Sequence, residues 1–269
     1  MVLLTSLVDW ARGSAAHARV RAVRSERLVD VRRPDVNVVH VQRPRLALPA
    51  AELRTIVASR PTLRVRAAVP TTNPRPHLEA ALKLPLSGGR GVDAGVDAGV
   101  DVGVDAECGL RAAREFLVDD IARVVEAFGE DLGYTRVNVK LEVIANTKCP
   151  KWHADHVGLR LLCTYVGDGT LYVDNAHATR SWVWSGGAMV PVVAGVDEGG
   201  SLQAATGDLL LLKGHGWGDD QGGGSASFMG LGAVHRSPDV PEPGAGTRLL
   251  LTVDDVLQDI DGCGCGAQH

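Results

Sequence analysis

No apolar run in this 269-residue chain is long enough to cross a membrane. The N-terminal stretch MVLLTSLVDWA comes nearest, but it is short, is broken by Asp9 and has no basic segment ahead of it. Neither a membrane span nor a secretory leader is expected, and a cytoplasmic location follows by default. No charge predominates: 28 Lys and Arg stand against 32 Asp and Glu, a formal net charge of −4. That balance gives no electrostatic case for nucleic acid as a partner. Cysteine is scarce. The five present are an odd number, scattered rather than framed, which suits a reducing compartment better than a disulfide scaffold. With 45% hydrophobic and 22% charged residues the composition is that of an ordinary globular protein.

Local features stand out against this background. Residues 12–33 carry Arg12, Arg19, Arg21, Arg24, Arg27, Arg32 and Arg33 against Glu26 and Asp30, a solvated basic face. The segment VNVVHVQR, residues 36–43, alternates as a strand, and LPAAELRTIVASR has the period of an amphipathic helix. The imperfect repeat GVDAGVDAGVDVGVDA is too short for a solenoid and its aspartates lack the spacing of a calcium loop, so a flexible loop is expected. After it, ECGLRAAREFLVDDIARVVEAFGEDLG places Leu110, Ala113, Leu117, Ile121, Val125 and Phe128 at helical spacing, with Gly129 or Gly133 as the stop.

From residue 134 to 256 the signals are β. YTRVNVKLEVIAN alternates Val137, Val139, Leu141 and Val143 against Asn138, Lys140 and Glu142, a strand with one wet face. Further strands are expected in LRLLCTYV, TLYVDN, AMVPVVA, LLLLKG, GAVHRS and TRLLLTV. The expected fold is mainly β, α+β overall: a double-stranded β-helix core, a cupin-like jelly roll, with an N-terminal α/β region and bracing helices. The expected segments are an N-terminal α/β region over 1–87, a low-complexity loop over 88–106, helix and core over 107–258, and a Cys/Gly tail over 259–269.

The chemistry-bearing residues are few and ordered. Read as one strand from 152 to 166, WHADHVGLRLLCTYV points His153 and Asp155 the same way, with Ala154 and His156 opposite. His235 follows 82 positions after His153, and Arg248, Leu250 and Thr252 share one face of the last strand. Two imidazoles and a carboxylate on one face of an octahedron bind Fe(II) and leave positions open. Cys149, four residues before His153, is close enough to reach such a site, or is a turn residue ahead of Pro150. Cys263, Cys265 and His269 could capture a soft metal, although Cys-Gly-Cys is tight for zinc and a fourth ligand is missing. Two loops are candidates for substrate contact: residues 213–228, with His215 and Trp217, as a lid over the metal, and residues 175–187, with His177, Arg180, Trp182 and Trp184.

A strand with His-x-Asp, the GDLLLL strand, then His, then Arg, in that order, resembles the 2-oxoglutarate- and Fe(II)-dependent dioxygenases. More closely, CPKWHADHVGLRLLCTYVGDGT with GDLLLLKG, GAVHRSP and RLLLTVD is similar to the bacterial family of unknown function DUF1826. The resemblance implies that His153, Asp155 and His235 hold Fe(II), and that Arg248, with Thr252 beside it, binds the distal carboxylate of 2-oxoglutarate as co-substrate. It implies oxidation of a small-molecule or protein substrate. The alternative it carries is a non-catalytic metal-binding protein linked to zinc homeostasis, holding zinc on the same triad. A cupin-type isomerase would show a denser histidine cluster.

Overall fold

In the computed structural model the described residues are 20–83, 104–146, 149–218, 230–239 and 246–255. The Gly-Val-Asp repeat up to residue 103, residues 219–229 of the glycine-rich loop and the Cys263/Cys265/His269 tail lie outside them. Fifteen elements matter here. They are β1 (Arg21–Arg24), β2 (Val36–Val41), α1 (Ala50–Ser59), β3 (Arg64–Pro70), α2 (Arg75–Ala81), α3 (Val104–Leu132), β4 (Arg136–Ile144), β5 (Leu159–Val166), β6 (Leu171–Val173), β7 (Ala178–Ser185), β8 (Ala188–Val196), β9 (Ser201–Gln203), β10 (Leu209–Lys213), β11 (Val234–Arg236) and β12 (Arg248–Asp255).

Alternation of side chains along the strands makes one large sheet with two different faces. Its order is β1-β2-β10-β5-β12-β4-β3, antiparallel throughout except for the parallel β1–β2 pair. Strands from the first seventy residues thus extend both edges of the sheet formed by the later ones. One face carries Val139, Leu141, Leu161, Cys163, Leu211, Leu249, Leu251 and Val253, which meet Leu117, Ile121, Val125 and Phe128 of α3 in the main core. Each of those four helix side chains is fully buried, worth roughly 1.5–3 kcal/mol apiece by transfer from water. A charge cluster crosses this layer: Asp120 of α3 receives Arg43 through two hydrogen bonds of 2.8 and 3.1 Å and the Tyr165 hydroxyl at 2.7 Å.

The opposite face is polar at one end and apolar at the other. Val38, Leu162, Leu210 and Leu212 pack against Tyr172 and Ala233 of a small sheet ordered β11-β6-β9. Helices outside, large sheet in the middle, small sheet beyond: the architecture is mostly β, with antiparallel sheets and few helices. β7 and β8 form a separate hairpin.

Several expectations need correction. The strand expected from residue 152 begins only at Leu159, because residues 155–158 bond to the backbone of 214–216 instead of continuing the ladder. Residues 178–185, expected as loop, form strand β7, whose half-exposed alternation of Arg, Trp and Ser hides it. Strands β1, β3 and β9 and helix α2 add to the expected elements. The wet face of β4 is not solvent: Asn138 and Glu142 are buried and line the inside of the molecule. Helix α3 runs through Gly129 and ends at Leu132, with Gly133 at φ +75° as its left-handed stop. Gly129 serves a different purpose, since a Cβ there would stand 2.5 Å from the Cβ of Thr71. No helix among the described residues is long and apolar enough to cross a membrane.

Candidate metal centre

Three backbone devices bring the polar residues together. His153 forms an isolated antiparallel bridge with His235 of β11, its N–H donating to the His235 carbonyl at 3.0 Å and its carbonyl accepting the reverse bond at 2.9 Å. Asp155 lies in the turn that follows, where its carbonyl accepts the His215 N–H at 2.8 Å while Gly214 and Gly216 donate to Gly158 and Val157. Gly214 is required there, since an added Cβ would fall 1.9 Å from the Val157 carbonyl oxygen. Arg248 and Thr252 project from β12 onto the same inner face.

His153, Asp155 and His235 are all buried, and one donor atom from each lies within 4.8 Å of the others. His153 Nε2 stands 3.7 Å from Asp155 Oδ1, and His235 Nε2 stands 3.3 Å from Asp155 Oδ2. Donors about 2.1 Å from a common ion would be separated by about 3 to 3.4 Å, so only a small closure is needed. The tautomers follow from the partners. His153 Nδ1 lies 2.9 Å from the Lys151 carbonyl and His235 Nδ1 lies 3.0 Å from the Ala233 carbonyl. A carbonyl can only accept, so each Nδ1 carries a hydrogen, and each Nε2 faces Asp155. Burial, together with neighbouring His235, pushes His153 down to about 4 although Asp155 opposes the shift. The imidazole is therefore neutral near pH 7.

Asp155 completes the set. Burial works against its charge, but Arg160, then His235 and His153, more than offset this and hold the carboxyl below the usual range. Arg160 NH1 is 3.0 Å from Oδ2 as an ion pair, yet neither carboxylate oxygen meets hydrogen-bond geometry with any neighbour. Two buried imidazoles aimed at a buried, ionised carboxylate fit a divalent metal.

The partly open cleft around them is also lined by Lys140, Glu142, Ile144, Cys149, Arg160, Leu162, Thr170, Arg236, Ser237, Arg248, Leu250 and Thr252. Its cations are paired with one exception. Lys140 lies 3.1 Å from Glu142, Arg160 engages Asp155 and Asp254, and Arg236 lies 2.8 Å from Asp239. Arg248, only 2% exposed, has no carboxylate within 4.0 Å among the described residues. Its NH2 donates to Thr164 Oγ1 at 3.0 Å and Thr170 Oγ1 at 3.4 Å, while its Nε has no hydrogen-bond partner among the described residues. Burial pushes Arg248 down to about 10, with Asp168 opposing, so it stays charged at neutral pH.

The remaining candidates fall elsewhere. Cys149 lines the cleft but is outside the His–Asp–His cluster. His156 turns away, its ring 5.2 Å from that of His215. His215 and Trp217 do not line the cleft; Trp217 packs against the main core, with Lys213 Nζ 5.1 Å from its ring centroid. The described part of that segment, residues 213–218, therefore holds the backbone of Asp155 rather than covering the site. In the other expected loop, His177 pairs with Asp197, and Arg180 donates to Asn175 and to the Gly232 carbonyl. Sequence reasoning missed Arg160 and Asp254, whose pairing appears only once the two face each other across β5 and β12.

Comparison with known proteins adds the following. No curated protein matches the sequence. Solved structures align over most of the chain at low similarity. A C-terminally truncated Neurospora crassa protein in apo form is 10% identical over 81% of this chain and 82% of its own, with a TM-score of 0.31. The full-length Neurospora crassa protein in complex with alpha-KG is 9% identical over 81% and 74%, with a TM-score of 0.32. A Pseudomonas putida prolyl-4-hydroxylase is 12% identical over 80% and 97%, with a TM-score of 0.26. At these scores neither fold nor activity is transferred from them. The family model described as "Protein of unknown function (DUF1826)" matches residues 102–254, more than half of the chain, and the chain belongs to that family.

Proposed function

We propose that this protein is an Fe(II)- and 2-oxoglutarate-dependent oxygenase built on a double-stranded β-helix. The strand order supports the fold. From β4 the chain passes to the His153 bridge, β5 and β6, then through the β7–β8 hairpin to β9, β10, β11 and β12, crossing between the large and the small sheet at every step but the one from β6 to β9, so that β4-β12-β5-β10 face the His153 bridge, β11, β6 and β9. That strand order supports the double-stranded β-helix reading.

The observation that carries the function is the coexistence, in one cleft, of the His–Asp–His cluster and a buried guanidinium without a carboxylate partner among the described residues. His153, Asp155 and His235 would hold the iron, with zinc as the alternative ion. Arg248 would receive the distal carboxylate of 2-oxoglutarate through its fork, with Thr252 on the same face beside it. A buried, unneutralised Arg is costly unless an anion joins it, and a planar guanidinium takes a carboxylate through two parallel hydrogen bonds. Bound iron supplies activation of oxygen driven by oxidative decarboxylation of the co-substrate. The chain itself contributes orientation. The two Nδ1–carbonyl bonds fix the imidazoles, residues 214–216 fix the Asp155 backbone, and the Lys140–Glu142 pair neutralises the neighbouring wall.

Anaerobic reconstitution tests this reading. The protein should take up one Fe(II) per chain, and added 2-oxoglutarate should generate the visible charge-transfer band of an iron chelate. Stoichiometric zinc or iron with no response to 2-oxoglutarate would reject the oxygenase and leave a metal-binding protein.

A further inference from the structure

Arg160 stands between two carboxylates, and only one of them belongs to the metal cluster. Its NH1 lies 3.0 Å from Asp155 Oδ2, while its Nε and NH2 reach Asp254 Oδ1 and Oδ2, both at 2.8 Å. The sheet builds this fork directly, because Arg160 and Asp254 are cross-strand partners of β5 and β12. The side chains are 11% exposed for Arg160 and Asp254 and 2% for Asp155, so water screens the chain of charges poorly. Arg160 also lines the cleft beside the cluster.

Resting on the iron reading above, we propose that the Asp254–Arg160–Asp155 chain sets the balance between ferrous and ferric iron at the His153–Asp155–His235 centre. Arg160 and Asp254 are positioning residues: they act on the metal through the carboxylate of Asp155. The guanidinium draws charge from the oxygen of Asp155 and repels the added positive charge of the ferric ion. Asp254 moderates it by holding two of its N–H groups. The equilibrium concerned is Fe(III) plus one electron giving Fe(II), the electron exchanged with an external mediator, and no protein bond forms or breaks.

A purely structural role would loosen the site in the same way whichever member is changed. The electrostatic role demands shifts of opposite sign. Removing the guanidinium leaves an extra negative charge near the metal, which favours Fe(III). Removing the Asp254 charge leaves the guanidinium unmoderated, which favours Fe(II). At an effective dielectric of about 20, one unit charge about 5 Å from another changes an equilibrium by roughly one hundred-fold.

The test is a mediated redox titration of iron-loaded wild type, Arg160→Gln, Arg160→Lys and Asp254→Asn, with folding checked by circular dichroism. In Arg160→Gln the ferric-over-ferrous affinity ratio should rise roughly one hundred-fold, a midpoint lower by about 120 mV at about 59 mV per tenfold. Asp254→Asn should move the ratio the other way by at least about tenfold. Arg160→Lys, which keeps the charge, should stay within about tenfold of wild type. Shifts of the same sign, or none beyond about threefold, overturn the inference. If Arg160→Gln does not fold, a midpoint in Asp254→Asn that falls or stays put overturns it alone. A wild type that holds no stoichiometric iron overturns the iron reading itself, a distinguishable outcome.

Discussion

His153 and His235 exchange both of their backbone hydrogen bonds, at 3.0 and 2.9 Å, so the two imidazoles are set side by side by main-chain atoms alone. Their ring centroids are 4.4 Å apart. Such a directly opposed pair puts both side chains on the same face of the sheet.

Because the bridge needs no side-chain atom, His235→Ala should leave it standing and remove only a ligand. Metal content measured after reconstitution should fall from one ion per chain to near zero, with an unchanged circular dichroism spectrum. Full metal content in the folded variant would remove His235 from the centre.

At Gly129 the helix passes so close to Thr71 that a methyl group has no room: its Cβ would meet the Thr71 Cβ at 2.5 Å and Oγ1 at 2.7 Å. The clash falls on a Cβ, which no rotamer change can move. Gly129→Ala should therefore destabilise by about 1–3 kcal/mol despite the better helix propensity of alanine. Thermal unfolding checks this; a stabilised variant would contradict the contact.

Lys213 gives the fold a pH dependence with a definite sign. The side chain is buried, its Nζ donates to the Arg33 carbonyl at 2.8 Å, and burial pushes its pKa down to about 7 against the opposing pull of Asp35. In the unfolded chain it titrates near its ordinary value of 10.5. Between about pH 7 and 10.5 the unfolded state therefore holds the extra proton, and this group makes stability rise with pH. Below pH 7 the cost of charging the buried amine is present in full. Lys213→Met should accordingly gain on wild type at pH 6 and lose that advantage by pH 10. A stability difference that is flat with pH would show that Lys213 titrates normally.

The parts of this molecule legible in its sequence are those set by local periodicity. Leu161, Cys163, Leu211, Leu249, Leu251 and Val253 repeat every second residue and mark one buried face, and α3 announces itself by the spacing of Leu117, Ile121, Val125 and Phe128. His153, Asp155, His235 and Arg248 are legible by type and order, and the folded chain brings all four to one cleft. What is not legible depends on long-range partners. Asp155 reaches the imidazoles through a turn stitched to residues 214–216, not by strand alternation, and no local pattern reports that stitching. Lys140 and Glu142 look solvated because charges usually are; they face inward because a second sheet covers that side. Arg160 reads as an ordinary strand residue until the pairing of β5 with β12 sets it against Asp254.

On the function proposed above, Arg248 receives a carboxylate beside the metal. This is tested most directly by titrating 2-oxoglutarate into iron-loaded wild type and Arg248→Lys without oxygen. Both should hold iron, but the variant replaces a two-point charge-assisted contact with one, costing about 1.5–3 kcal/mol, or roughly ten- to one hundred-fold in affinity. Weaker binding of that size, with iron content unchanged, is the predicted result; equal affinities, or no binding to either protein, would contradict the account.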